Sequence, residues 1–265
     1  MTNTISLSNT GNTVTVNRTG YTITIYDGGL PADPITAASY GGLTAWLDCS
    51  LAAQMYSDYP PVTLVANDGD AVAYYDDLSS ELNNFVQTTP GSRPLYKLNR
   101  QNSLSGVLFQ GTDDYLYSTA CAAFYTANVK TVVMVLKNIS GTGGLIGDSG
   151  GYFGGQIQGA TTARFYNYDG ANDTVDITIP VAGTAFVLTF WHTGGYLYLQ
   201  TNDGTPSAGV ASGLTTVQSL VQQVGSAGGG YANFDLYELA IYSQALSATD
   251  RAALVDALMT KWGIA

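Results

Sequence analysis

Apolar and polar residues alternate at a spacing of two along most of this chain, and one stretch near its C-terminal end changes to a spacing of three and four. Residues 4–26 hold three short alternating segments: Ile5 and Leu7, then Val14 and Val16, then Ile23 and Ile25, with Ser or Thr between them. Residues 9–12 and 17–20 supply Asn and Gly for the turns, so this part reads as a three-stranded β-meander. Each strand offers too few inward side chains for a core, so the meander needs a surface to lie against. Residues 27–34 carry two prolines and read as an extended linker. From Leu43 the strand signals lengthen. Residues 43–48, 72–79, 93–96 and 106–116 read as strands, and 186–191 and 196–200 as a hairpin turning through 192–195. Residues 129–137 are almost continuously β-branched or apolar, which predicts a central strand covered on both faces. Residues 234–242 form a last strand. Ser247-Ala-Thr-Asp250 then makes a capping box, and Leu254, Val255, Leu258, Met259 and Trp262 follow as one helical stripe. Lys261 suits the negative end of that helix and Gly263 stops it. The pattern predicts an all-β chain: a two-sheet antiparallel jelly-roll sandwich with one short C-terminal helix, preceded by a small meander. Its parts are 1–27 as an anchoring or docking element, 28–42 as linker and 43–265 as the sandwich.

Composition agrees and narrows the partners. The 265 residues include 31 Gly and 19 Tyr but only 11% charged side chains, which suits a turn-rich sheet protein. The net charge of −11 opposes nucleic acid and anionic membrane surfaces, so neither is expected as a partner. Apart from Glu81 and Glu238 the acids are all Asp, the residue of turns and caps. Arg93, Lys97 and Arg100 gather in one loop-like stretch and read as solvated surface. Cys49 and Cys121 read as two buried thiols rather than a disulfide framework. No apolar run has transmembrane length. The first residues show neither a basic nor an apolar leader region, which predicts synthesis in a cytoplasm without a signal peptide.

Several segments resemble laminin-G-like jelly rolls of the concanavalin A-like lectin/glucanase superfamily. Ala45-Trp-Leu-Asp-Cys-Ser50 stands where that family opens its first strand, and Tyr75-Asp-Asp-Leu-Ser-Ser80, Gln87 and Arg93-Pro-Leu-Tyr96 follow in the family's order. Phe109-Gln-Gly-Thr-Asp-Asp-Tyr-Leu116 and the Glu238-to-Gly263 ending complete the match, which covers about residues 43–265. The chain departs from the pattern at Tyr75, Ser80 and Gln110. The resemblance implies the sandwich fold and a range of uses from lectin to hydrolase to inert structural domain. It also implies calcium held by loop oxygens in some members.

Retaining glycosidases need two carboxylates about 5 Å apart, and a strand supplies them at alternate positions. Asp235 and Glu238 are three apart, as are Asp173 and Asp176, so a regular strand sends each pair to opposite faces. Glu81 falls in a polar loop. The chain is therefore expected not to be an enzyme. His192 is the lone histidine and no nucleophile elbow surrounds any serine, so it reads as structural. One His and two distant Cys do not make a zinc site. The Gly-rich stretches 141–144 and 225–230 read as turns, not phosphate cradles. No cofactor is expected; Asp113-Asp114, Asp68-Gly-Asp70 and Asp76-Asp77 are dense enough to supply carboxylates, with Asp113 and Asp114 the weak calcium candidates. Tyr152, Phe153, Tyr166 and Tyr168 lie in a Gly- and Asn-rich region and are the glycan candidates, since aromatic rings stack on sugar faces.

These features predict a non-enzymatic structural protein of a bacteriophage virion, a head decoration or fibre part made in the host cytoplasm and exposed on the virion surface. Ile5, Leu7, Val14, Val16, Ile23 and Ile25 would anchor it to a capsid or tail protein, or to copies of itself, while the jelly roll meets a cell-surface glycan. The alternative is a carbohydrate-binding module or adhesin on or secreted from a bacterium. A glycosidase with an unrecognised acid pair is third.

Overall fold

The computed structural model describes residues 13–18, 21–26, 40–121, 130–151, 153–168, 172–213, 222–227 and 230–265. Strands β1 (Thr13–Arg18) and β2 (Tyr21–Tyr26) pair antiparallel. Its register sets Val14 opposite Ile25 and Val16 opposite Ile23, so these four positions share one face while Thr13, Thr15, Thr22 and Thr24 do not. The third expected segment, with Ile5 and Leu7, lies outside the described residues.

The first part of the sandwich comprises β3 (Leu43–Asp48), β4 (Met55–Tyr56), β5 (Tyr74–Tyr75) and β6 (Phe85–Val86). After them come β7 (Leu95–Gln101), β8 (Leu104–Gln110) and β9 (Leu116–Ser118). The middle holds β10 (Lys130–Ser140), β11 (Gly143–Asp148), β12 (Phe153–Ile157), β13 (Thr162–Tyr168) and β14 (Asn172–Thr178). Strands β15 (Ala185–Thr193), β16 (Tyr196–Thr201), β17 (Val210–Ala211) and β18 (Gln222–Val224) follow. Last are β19 (Ser226–Ala227), β20 (Gly230–Tyr231), β21 (Asn233–Tyr242) and helix α1 (Ala248–Trp262).

Two large antiparallel sheets result. One runs β17-β16-β15-β10-β21-β8-β7, with β3 also on β21; the other runs β14-β13-β12-β11-β18-β9-β6-β5-β4. The core between them holds Val132, Met134 and Leu136 of β10, facing Phe153, Phe165, Ile146 and Val224 of the opposite sheet. Val133 and Val135 point the other way, into a second apolar layer with Leu254, Val255, Leu258 and Trp262 of α1. The continuous apolar run of β10 therefore reflects a strand sandwiched between core and helix. The helix begins as its capping residues dictate: Ser247 Oγ accepts from the Asp250 amide at 3.1 Å and donates to the Asp250 carboxylate at 2.7 Å. It ends on Gly263 in the left-handed region at φ 60°, with the Ile264 amide returning to the Met259 carbonyl.

Three segments differ from the sequence reading. Residues 106–116 are not one strand: Gly111, at φ 78°, turns the chain, and the Asp114 carboxylate holds the Gln110 amide at 2.8 Å. This lets β8 and β9 join opposite sheets. Residues 72–79 contribute only the two residues of β5, because the Asp77 carboxylate gathers the amides of Trp46, Ser79 and Asn83 into a loop. The hairpin between β15 and β16 turns on Gly194 and Gly195 alone, both at positive φ, as a two-residue turn requires.

Candidate functional site

The sheet containing β11–β14 turns one face inward, and the β19–β20 hairpin lies across the other. Glycines permit that approach. A methyl group at Gly144 would land on the Ala227 backbone, and one at Gly143 on Tyr231. These residues read as turn glycines in the sequence; they instead sit in or beside a strand that another backbone crosses. Beside the hairpin opens a pocket of about 460 Å³, lined by Gly151, Gln156, Arg164, Tyr166, Thr174, Ala227 and Gly230.

Register places its floor. Gln156 pairs with Arg164, and Tyr166 pairs with Gly154 on one side and Thr174 on the other, all projecting from the same face. Gly154 exists to accommodate the ring opposite: a Cβ there would come 2.8 Å from Tyr166 Oη and 3.0 Å from Ala227 Cβ. The Tyr166 hydroxyl is buried and has no hydrogen-bond partner among the described residues. Burial, with the Asp148 charge adding to it, pushes that hydroxyl up to about 12. Arg164 is gripped by Asp176 on the neighbouring strand, Nε to Oδ1 at 2.7 Å and Nη2 to Oδ2 at 2.8 Å. That bond holds the Asp176 carboxyl below its ordinary value.

The four aromatic candidates separate. Phe153 belongs to the inner core, edge-on to Phe165 at 4.7 Å between ring centroids, so it cannot meet a ligand; β12 places it on the inward alternation. Tyr166 lines the pocket with only 9% of its surface exposed, too little for a stacking platform. Tyr168 is 40% exposed on the same face of β13, about 7 Å further along. Tyr152 lies outside the described residues. Arg164 was the residue to find. In Thr162–Tyr168 the alternation puts Ala163 and Phe165 inward and Arg164 with Tyr166 outward.

Of the two acid pairs, Asp173 and Asp176 lie on β14 beside the pocket, while Asp235 and Glu238 lie on β21 of the other sheet. A β-bulge in β21 sets Glu238 opposite Val135 but Leu236 opposite Leu136, leaving Tyr237 as the extra residue. Asp235 and Glu238 consequently share the helix-side face, against the simple alternation. Both are occupied. The Arg100 guanidinium clasps Asp235 at 2.9 Å, and Lys137 adds a second cation at 3.1 Å. Glu238 accepts the indole N–H of Trp46 at 3.0 Å and of Trp262 at 2.8 Å. Lys261 bridges Glu238 and Asp48 at 2.8 Å each. Burial alone would pull the Lys261 ammonium down, and Glu238 and Asp48 more than reverse that, so it is raised. Lys261 thus serves a buried ion cluster, beyond its expected place at the helix end. Arg93, Lys97 and Arg100 are likewise bonded rather than merely solvated: Arg93 to the carbonyls of Gln87 and Ser57, Lys97 to Asp68, Arg100 to Asp235.

At one end of the core a polar layer closes the sandwich. Lys130 and His192 are cross-strand neighbours there, both buried. The His192 ring approaches the Ser212 carbonyl, and Asn167 donates to Ser212 Oγ at 3.0 Å. Burial pulls Lys130 down to about 8, Asp148 opposing. Cys49 and Cys121 are buried free thiols. The calcium candidates act locally: Asp113 accepts from Ser92 and Thr112, and Asp114 from Gln110. Among the described residues no three His, Cys, Asp or Glu side chains converge as metal ligands.

No family model and no curated protein matches the sequence. Solved structures do match in fold. A structure of botulinum neurotoxin type C, whose uptake depends on interaction with two ganglioside molecules, aligns at TM-score 0.57 and 11% identity over 84% of this chain and 52% of its own. The binding domain of botulinum neurotoxin DC in complex with rat synaptotagmin II gives 0.56 and 11% over 82% and 52%. Trypanosoma rangeli sialidase with the inhibitor DANA gives 0.56 and 13% over 85% and 35%. The chain spans about half the length of the toxin chains and about a third of the sialidase.

Proposed function

We propose that this chain is a non-catalytic glycan-binding module displayed on a bacteriophage virion, its sandwich carrying the sugar site and its N-terminal segment the attachment. The pocket beside β19–β20 carries the glycan reading: a concave site on a sheet face that brings an amide, a hydroxyl and an ion pair together beside an aromatic ring. The ganglioside-dependent toxin and the sialidase lend support as proteins of the same fold that meet glycans. The non-catalytic reading is supported by Asp235 and Glu238, whose oxygens already face cations and indole donors. Attachment is supported by the apolar positions Val14, Val16, Ile23 and Ile25, gathered on one face of a hairpin too small for its own core. Capsid or tail protein, or the same hairpin in neighbouring copies, is the proposed receiving surface.

A glycan array probed with the full chain tests the sugar site. Binding that disappears in a Gln156→Ala, Thr174→Val double variant of unchanged melting temperature is the expected result. No binding, or binding indifferent to these changes, overturns it. Reducing-end release from a panel of glycans stays at background; release abolished by Glu238→Gln overturns the non-catalytic reading.

A further inference from the structure

Arg164 is the pocket's only cation among the described residues, and it does not reach the pocket unpaired. Its guanidinium spends two N–H groups on both oxygens of Asp176, a planar two-point contact that neutralises it. Asp148 stands close enough to the Tyr166 hydroxyl for its charge to be felt there, and the whole chain carries −11. A carboxylate sugar entering this pocket would lose hydration and meet no uncommitted positive charge. An uncharged sugar meets what its hydroxyls need. A guanidinium has five N–H donors, so three remain, and each Asp176 oxygen keeps acceptor capacity for a sugar O–H. Both pair members are partly exposed, at 33% and 44% of their side-chain surface, so a ligand can reach them. Gln156 and Thr174 add an amide and a hydroxyl on the flanking strands.

We infer that the pocket selects an uncharged pyranose whose adjacent hydroxyls bridge the Arg164–Asp176 pair, and that it rejects sugars bearing a carboxylate. This rests on the pocket being the glycan site. Asp176 acts as the specificity element: it supplies an acceptor and cancels the charge that would attract acidic sugars.

The test compares wild type, Arg164→Leu and Asp176→Asn on one array of neutral, uronic-acid and sialylated glycans, with melting temperature as a folding control. Partly exposed ion pairs contribute little to folding stability, so each variant stays folded. Wild type binds neutral glycans and leaves acidic ones at background; Arg164→Leu loses about tenfold or more, as expected for a charge-assisted contact. Asp176→Asn weakens neutral binding and raises acidic binding, because Arg164 is released. Acidic glycans bound by wild type and lost in Arg164→Leu would overturn the inference while leaving the pocket as the site. Binding that ignores all pocket variants would remove the site, and the inference with it.

Discussion

Burial shapes two polar groups here, the Tyr166 hydroxyl and the Lys130 ammonium. Tyr166 Oη is buried and makes no hydrogen bond among the described residues. Tyr166→Phe is therefore expected to stabilise the unliganded chain by about 1 kcal/mol, measured by denaturant melts. Lys130 titrates near 8 in the folded protein against 10.5 for the free side chain. Below pH 8 both states are protonated and the cost of burying the cation is fully present. Between the two values the unfolded chain binds more protons, so this residue's contribution to stability rises with pH. The stability difference between wild type and Lys130→Met should move in favour of wild type by about 3 kcal/mol from pH 8 to 10.5. A flat difference would show that Lys130 is charged throughout that range. At Gly144 the tolerance is steric. Gly144→Ala has to lift β19–β20 from the sheet and should cost about 3 kcal/mol.

The elements show which features are local in origin. Helix α1 was fully legible, since its cap at Ser247, its stripe and its stop at Gly263 lie in consecutive residues. The buried central strand β10 was equally plain from its composition. What escaped reading depends on contacts distant in sequence. The bulge at Tyr237 is set by registration against β10, and it reverses which face Glu238 takes. The β8–β9 division turns on how Asp114 folds back, and the strand glycines of β11 have meaning only through β19–β20. The pocket was half legible: Tyr166 was singled out, while Arg164 needed the alternation of β13 applied residue by residue. Helix docking makes a firm prediction. Trp262 stacks on Tyr237 at 5.1 Å and donates to Glu238, so Trp262→Ala should cost about 3–5 kcal/mol, read by denaturant unfolding. Lys261→Met removes a cation that both Asp48 and Glu238 contact and should cost a similar amount, about 3–5 kcal/mol. Adding Glu238→Gln to it should recover part of that loss.

At the scale of the molecule, the hairpin at one end and the sandwich divide the proposed labour. A chain of residues 43–265 is expected to fold with the full chain's unfolding midpoint yet fail to join the particle or oligomer, and Ile23→Asp should mimic it. Equal incorporation of the shortened chain would place attachment on the sandwich and favour the free-standing bacterial module. The order of strands has a further consequence, for how the chain is made. Strand β21 lies between β10 on one side and β8 and β3 on the other, so without it that sheet falls into separate pieces. A ribosome adding about 5–20 residues per second needs roughly 5–20 s to travel from Ser140 to Asn233. Throughout that interval β10 and β8 carry open edges that nothing yet synthesised can close. Nascent chains stalled before Asn233 should be digested by protease over the whole sandwich and hold chaperones, and those released past Trp262 should resist. Folding of this sandwich therefore waits for its last strand, because synthesis runs from the N-terminus and β21 is the last strand made.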